Sequence, residues 1–250
     1  MLLTVDIGNT NITLGLFDGI NFIQEFRLSS GKDVSICEYR NLLSFLLKDY
    51  FVDCSVIASV VDGLGEKLKE SVDSLYDIDS LCVSNDINLG IKIVADNPQE
   101  VGADRIANAV AVARTYKSAV IVIDFGTATT FDIVNSKKEF CGGIIIPGLK
   151  TQLNSLYTST SKLPEIDLDK CEKVLGTNTK DAILAGVVRG SACMADGLIE
   201  LCKKELGEDI SVVLTGGHSG LISEYMDYPV DSINPILTLE GLRDIYFLNR

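Results

Sequence analysis

Short apolar runs bounded by Gly, Asp and Asn alternate along this chain with stretches of helical period. The pattern predicts three strands first, Leu2–Val5, Ile12–Phe17 and Asn21–Leu28, with Asp18-Gly19 turning between the last two. Ile36, Leu42, Leu43, Phe45, Leu46 and Leu47 give residues 34–50 a helical apolar face. A strand over Cys54–Val60, a Gly-containing turn and a helix to about Leu75 follow, then short strands at Leu81–Val83 and Ile91–Val94. Ile106, Val110 and Ala113 share one face of a helix predicted over 100–116. Beyond it come a strand at Ala119–Ile123, a resumed strand through Phe131, Ile133 and Val134, and a strand at Cys141–Pro147. Gly148 opens a helix to about Tyr157, and 159–173 is polar and loop-like. Residues 180–206 read as a long helix rich in small residues, Val212–Leu214 as a strand, and 239–248 as a closing helix. The small residues leave two readings open, a close-packed dimer face or packing within one domain.

One unit occurs twice. The run Ala119-Val-Ile-Val-Ile123 is followed by Asp124, then Gly126, Thr127, Thr129 and Thr130, and a second strand. Leu2-Leu3-Thr4-Val5 is likewise followed by Asp6, Gly8, Asn9, Thr10 and Asn11, and again a strand. Asp6 and Asp124 are 118 residues apart (124 − 6), almost half the chain. Taken singly, each is an ordinary hairpin with turn residues at its tip. Two copies at half-chain spacing predict two related domains facing each other across a cleft that holds a nucleotide. A carboxylate alone would repel phosphate, so the motif implies a cation between them.

Charge and cysteine content narrow the chemistry. The 250 residues carry a net charge of −13, which argues against nucleic acid or an anionic membrane as partner. The longest unbroken apolar runs are about five residues, short of the ~18 of a membrane span, and no basic leader precedes an apolar stretch. Seven scattered cysteines without a C-x-x-C pair fit a reducing cytoplasm rather than a disulfide framework or a zinc site. With His218 the only histidine, acid–base chemistry falls to carboxylates. No linker of biased composition separates the halves, so the domains are expected to join tightly near residues 114–118, as 1–115 and 116–250.

Two further stretches are candidates for chemistry. Gly102-Ala103-Asp104-Arg105 opens a predicted helix. An Asp there complements the helix dipole, which is reason enough for it. Arg105 beside it adds a cation in an unfavourable place, and the pair suits a substrate with a hydroxyl and an anion. Thr215-Gly216-Gly217-His218 follows a strand; its glycines permit close backbone approach, or simply a turn, and His218 reads as a loop residue. Walker A and G-x-G-x-x-G sequences are absent.

Together these pieces carry a resemblance. Asp6-Ile-Gly-Asn-Thr-Asn11, Asn97-Pro98 with Val101-Gly-Ala-Asp-Arg-Ile-Ala-Asn108, Asp124-Phe-Gly-Thr-Ala-Thr-Thr130, Gly142-Gly143 with Pro147-Gly148, Gly176-x-Asn178-Thr179 and Leu214-Thr-Gly-Gly217 occur in series. In that order they resemble type III pantothenate kinases, of the acetate kinase, hexokinase, Hsp70 and actin superfamily. The resemblance implies an α/β fold of two tandem ribonuclease H-like domains with a cleft between them. It implies ATP-dependent phosphorylation of the pantothenate hydroxyl to 4'-phosphopantothenate, the first step toward coenzyme A, by a cytoplasmic homodimer. Asp104 would be the general base. Gly102, Ala103, Arg105 and Thr179 would hold pantothenate, with Thr179 reaching in from the facing domain or a partner subunit. Asp6, Ile7, Gly8, Asn9, Thr10, Asn11, Ile12 and Thr13 would line the ATP phosphates, with Thr127 also touching one. Asp6 would meet Mg²⁺ through water, and Asp124 would lie at a monovalent cation, K⁺ or NH₄⁺. One position departs from the pattern: Ala95 stands where many members have Tyr, two residues before the Asn-Pro. A superfamily kinase for another small anionic alcohol, a non-catalytic regulatory member of the family, and an actin-like filament former are the competing readings.

Overall fold

The computed structural model describes residues 1–31 and 33–250. Backbone contacts divide them into two units, one of Met1–Thr115 with Leu237–Arg250 and one of Tyr116–Ile236. The first unit starts with an antiparallel meander: β1 (Leu2–Ile7), β2 (Asn11–Asp18) and β3 (Asn21–Ser29). After α1 (Ile36–Leu46), β4 (Cys54–Ser59) runs parallel to β1; after α2 (Leu64–Tyr76), β5 (Leu81–Cys82) runs parallel to β4. The strand order is β3-β2-β1-β4-β5. Leu3, Val5 and Ile7 point to one face and pack with Leu43, Leu68 and Val72 of the two helices. Ser35 fixes the start of α1 in a reciprocal capping box with Glu38, inside the predicted stretch 34–50. A two-residue strand, β6 (Lys92–Ile93), and a 3₁₀ turn at Pro98–Glu100 lead to α3 (Ala103–Thr115).

The second unit repeats this plan. β7 (Ala119–Phe125), β8 (Ala128–Val134) and β9 (Glu139–Pro147) form an antiparallel meander. Then come α4 (Leu149–Ser159), α5 (Thr179–Leu184), a π-helical turn at Ala185–Arg189 and α6 (Gly190–Leu206). β10 (Ile210–Thr215) lies parallel to β7, and after α7 (Ser219–Ser223), β11 (Ser232–Ile233) lies parallel to β10. The order β9-β8-β7-β10-β11 matches the first unit strand for strand. Each is therefore a ribonuclease H-like α/β unit, the fold that the resemblance implies, and the pair are related as the repeat of the Asp–x–Gly motif predicts.

The chain closes with α8 (Leu237–Leu248), and here the expected boundary is corrected. The sequence reading put all of 116–250 in the second domain, whereas α8 packs on α3, β1, β2 and β4 of the first unit. Its apolar residues Leu237, Leu239, Leu242 and Ile245 are buried, and they match a surface that β1 and β4 leave open on the side away from α1 and α2. Asp6 and Asp124 were expected to end their strands. Both instead lie one residue inside, because Ile7 and Phe125 remain paired and buried. The segments forming α7 and β11 carry too short an apolar pattern to be seen in advance.

Thr179–Leu206 is continuous helix, long and apolar enough by length and composition alone to cross a bilayer, which the short apolar runs did not suggest. Within its unit, Leu184, Val188, Ala192, Ala195 and Ile199 are core residues. Its polar side chains anchor loops: Arg189 donates to the carbonyls of Cys171 and Glu172, both at 3.2 Å, and Asp196 accepts from the N–H groups of Asp227 and Tyr228. The small residues Ala192 and Ala195 thus serve packing within the unit, while Gly186, Gly190 and Gly197 have open space at the Cβ position.

Candidate active site

The two Asp-bearing hairpins share a register. Asp6 pairs across β2 with Thr13 and beside β4 with Ala58; Asp124 pairs across β8 with Thr130 and beside β10 with Thr215. Both carboxylates are half-buried at the ends of strands whose alternate residues are core. Past each Asp the chain is pinned the same way: the Val60 N–H donates to the Ile7 carbonyl, and the His218 N–H to the Phe125 carbonyl.

The first tip, Gly8 to Asn11, is closed by the Gly8 N–H donating to the Asn11 carbonyl at 2.9 Å. Ser30, at the end of β3, braces it: its N–H donates to the Thr10 carbonyl at 3.0 Å and its hydroxyl to the Gly8 carbonyl at 2.6 Å. The side chains of Asn9, Thr10 and Asn11 are exposed. Ile7 and Ile12 are fully buried, so only their main chain is open to a ligand. Thr13 is half-buried.

The second tip is one residue shorter, Gly126 to Ala128, closed by the Gly126 N–H donating to the Ala128 carbonyl at 3.1 Å. It is gripped by the start of α4, where the Gly148 N–H (3.1 Å) and the Thr151 hydroxyl (2.8 Å) both donate to the Thr127 carbonyl. A Cβ on Gly148 would collide with the Gly126 and Thr127 carbonyl oxygens. Gly216 approaches from β10 in the left-handed region at φ 85°, and a Cβ there would collide with Asp124 Oδ1 and the Phe125 backbone. Asp124, Thr127, Gly148 and Gly216 thus form one cradle. The sequence reading had both glycine motifs but not the brace from Thr151; Pro147-Gly148 ahead of a helix was the available signal. His218 is a loop residue whose ring is kept below its ordinary pKa by burial and by Lys150.

The third group lies at the start of α3. Asp104 is half-buried, and its Oδ1 accepts from the Arg105 N–H at 2.7 Å. Gly102 sits against Val60 at the end of β4, and a Cβ on it would lie 2.6 Å from that same Oδ1. Burial pushes the Asp104 carboxyl above the ordinary carboxylate range, against the opposing pull of the Arg105 N–H and guanidinium. A carboxylate made more basic in this way is suited to accept a proton from an alcohol. By strand alternation Asp6 shares the β1 face of Leu2 and Thr4, the side that α8 covers. The fold therefore brings Asp6 and Asp104 to one side and one end of the first unit's sheet, the C-terminal ends of β1 and β4.

Thr179 is the first residue of α5, which Asn178 caps by accepting from the Asp181 N–H at 2.9 Å. It lines a cavity of about 880 Å³ in the second unit with Gln152, Leu156, Leu163, Asn178 and Ile183. Gly176 packs so closely on the backbone of Asp181 and Ala182 that a Cβ would clash. Among the described residues no three His, Cys, Asp or Glu side chains are grouped to hold a metal. Single carboxylates beside hydroxyls and carbonyls are hard oxygen donors, which fit Mg²⁺ or K⁺ shared with a phosphate better than a protein-only metal cage.

Comparison with known proteins gives the family. A sequence model of the type III pantothenate kinase family matches residues 2–201. A type III pantothenate kinase of Geotalea daltonii is 39% identical over an alignment of 255 residues covering 100% of this chain and 99% of that protein. One of Citrifermentans bemidjiense is 40% identical with 100% of both covered. Among solved structures, a Baf family transcriptional activator from Campylobacter jejuni superposes with a TM-score of 0.62 at 22% identity, covering 98% and 97% of the two chains. The activator of 2-hydroxyisocaproyl-CoA dehydratase from Clostridium difficile, solved with bound ADPNP, gives 0.53 at 13% identity, covering 98% and 93%. These two share the fold; the sequence relatives go further, and on their strength this chain belongs to the type III pantothenate kinase family.

Proposed function

We propose that the protein transfers the γ-phosphoryl group of ATP to the primary hydroxyl of pantothenate, giving 4'-phosphopantothenate and ADP at the entry to coenzyme A biosynthesis. The observation that carries this reading is the half-buried Asp104 carboxylate, made more basic by burial and set beside Arg105 at the start of α3. Asp104 takes the hydroxyl proton as the oxygen–phosphorus bond forms and the bond to the ADP oxygen breaks. Arg105 forks onto the pantothenate carboxylate, Gly102 and Ala103 leave room along the main chain, and Thr179 completes the acceptor site of a second copy. Exposed apolar side chains near Thr179, Val174 and Leu175 among them, support a homodimer.

Residues 6–13 line the ATP phosphates, Ile7 and Ile12 through their main chain, and Thr127 contacts a phosphate from the second hairpin. Asp6 would hold Mg²⁺ through water, and Asp124 would hold K⁺ or NH₄⁺. When bound, these cations neutralise phosphate charge next to carboxylates on a chain that is already strongly acidic. The family relationship favours the cytoplasm. An acceptor panel tests the reading: ATP consumption is expected with pantothenate and not with other short anionic alcohols. Equal consumption with a sugar or a different hydroxy acid would overturn the assignment of the acceptor.

A further inference from the structure

The helix that carries the proposed base packs against α8, a part of the chain that no motif above includes. Residues 106–113 of α3 are all buried, Asn108 among them at 1% exposed. Asn108 lies one turn beyond Asp104, on the same side of the helix. Its Oδ1 accepts from the Thr238 hydroxyl in the first turn of α8 at 2.8 Å. Next to this bond, Gly241 lets the two helix backbones meet, since a Cβ there would collide with the carbonyl of Ala107. Further along, Arg114 and the buried Asp244 form a second link at 3.4 Å. The opposite side of α8 rests on β1 and β2, where Leu239 lies against Gly15 and the Thr4 hydroxyl donates to the Gly15 carbonyl. α8 is thus wedged between the helix whose first turn holds Asp104 and the hairpin that carries Asp6.

We propose that Thr238 and Gly241 are positioning residues, which fix the rotation and height of α3 and so set where the Asp104 carboxylate stands relative to the phosphate-binding hairpin. The inference rests on Asp104 being the base. It assigns a catalytic support to residues 237–248, beyond the 2–201 that the family's sequence model matches. A polar bond inside a helix contact, here part-buried with Asn108 fully enclosed, specifies one packing of two helices where apolar contact alone would allow several. Positioning is where such a bond affects rate, because a displacement of about 1 Å at a reacting group can cost about 100-fold.

The test is Thr238→Val, which keeps the shape and removes the donor, beside Thr238→Ser, which keeps the donor. With purified full-length protein, kcat and the KM values for ATP and pantothenate are measured for each. Thr238→Val is expected to lower kcat about tenfold or more with the KM for ATP unchanged, and Thr238→Ser to restore most of it. A folded Thr238→Val protein with wild-type kcat would overturn the proposal, as would a loss that Ser does not rescue. If Thr238→Val gives no cooperative unfolding transition, Thr238→Ala is measured in its place by the same criteria. Asp104→Asn run in parallel keeps the two ideas apart. Wild-type turnover in that variant removes the base assignment itself; an inactive Asp104→Asn with an unaffected Thr238→Val removes only the positioning role.

Discussion

The two Asp-bearing hairpins have the same strand pairing and differ in how their tips are held. The first tip, Gly8 to Asn11, is tied by one serine of its own sheet and presents three exposed polar side chains. The second, Gly126 to Ala128, is shorter and is held by Gly148 and Thr151 at the start of α4, with Gly216 pressed against Asp124 and Phe125 just ahead of it. The difference teaches how a duplicated site becomes asymmetric. The open tip offers side chains that can follow a phosphate, while the clamped tip offers a fixed oxygen cradle suited to a cation. The Asp104 carboxyl, whose basicity burial raises, stands outside both hairpins, on α3.

The largest expected effect tests that division. Asp104→Asn should cut kcat by about 10²–10⁴-fold with little change in the KM for ATP, measured by ADP release. The same variant should be more stable than the wild type near neutral pH. The sign follows from the raised folded-state pKa. Below the unfolded pKa the carboxyl is protonated in both states and costs nothing. As pH rises through the folded pKa the buried group must ionise, and that share of stability is lost. Asn never ionises, so urea unfolding should show the gap between variant and wild type open as pH rises, and kcat/KM of the wild type should fall as acid protonates the base.

The glycines sharpen the comparison next. Gly216→Ala should destabilise by about 2–3 kcal/mol or more, because it adds a left-handed backbone penalty to a backbone clash. Gly8→Ala should cost less than about 1 kcal/mol, since an added Cβ lies 3.3 Å from the Asn11 carbonyl oxygen in ordinary backbone geometry. Equal costs by urea titration would mean that the two tips are not held differently. Arg105→Ala should raise the KM for pantothenate about 10–100-fold, the loss of a charge-assisted bond worth about 1.5–3 kcal/mol, while leaving the nucleotide KM alone. The braces give small effects on stability. Ser30→Ala and Thr151→Ala should each cost about 1 kcal/mol. Turnover should then need more Mg-ATP in the first variant and more K⁺ in the second; the same response from both would erase the distinction between the tips.

Much of this was legible in the sequence because the informative features were local. Strand–Asp–x–Gly–polar–strand can be seen in a dozen residues, and its recurrence at half-chain spacing already implied tandem units. Gly102-Ala103-Asp104-Arg105 was legible for the same reason. What escaped depends on contacts far apart in the chain. The pairing of Thr238 with Asn108 joins residues 130 apart and leaves no periodic trace. The return of α8 to the first unit is likewise set by which surface is open to its buried leucines, and chain order misassigns it. Ile7 and Ile12 show the reverse case, a motif read as wholly ligand-facing in which alternation sends two side chains to the core.

The central claim is that the protein spends ATP on the pantothenate hydroxyl. Its most direct measurement is ADP formation by the purified protein in Mg²⁺ and K⁺, with and without pantothenate. The account predicts ADP release that requires pantothenate and matches the phosphorylated product one to one. ATP hydrolysis indifferent to pantothenate, or no turnover in its presence, would contradict it.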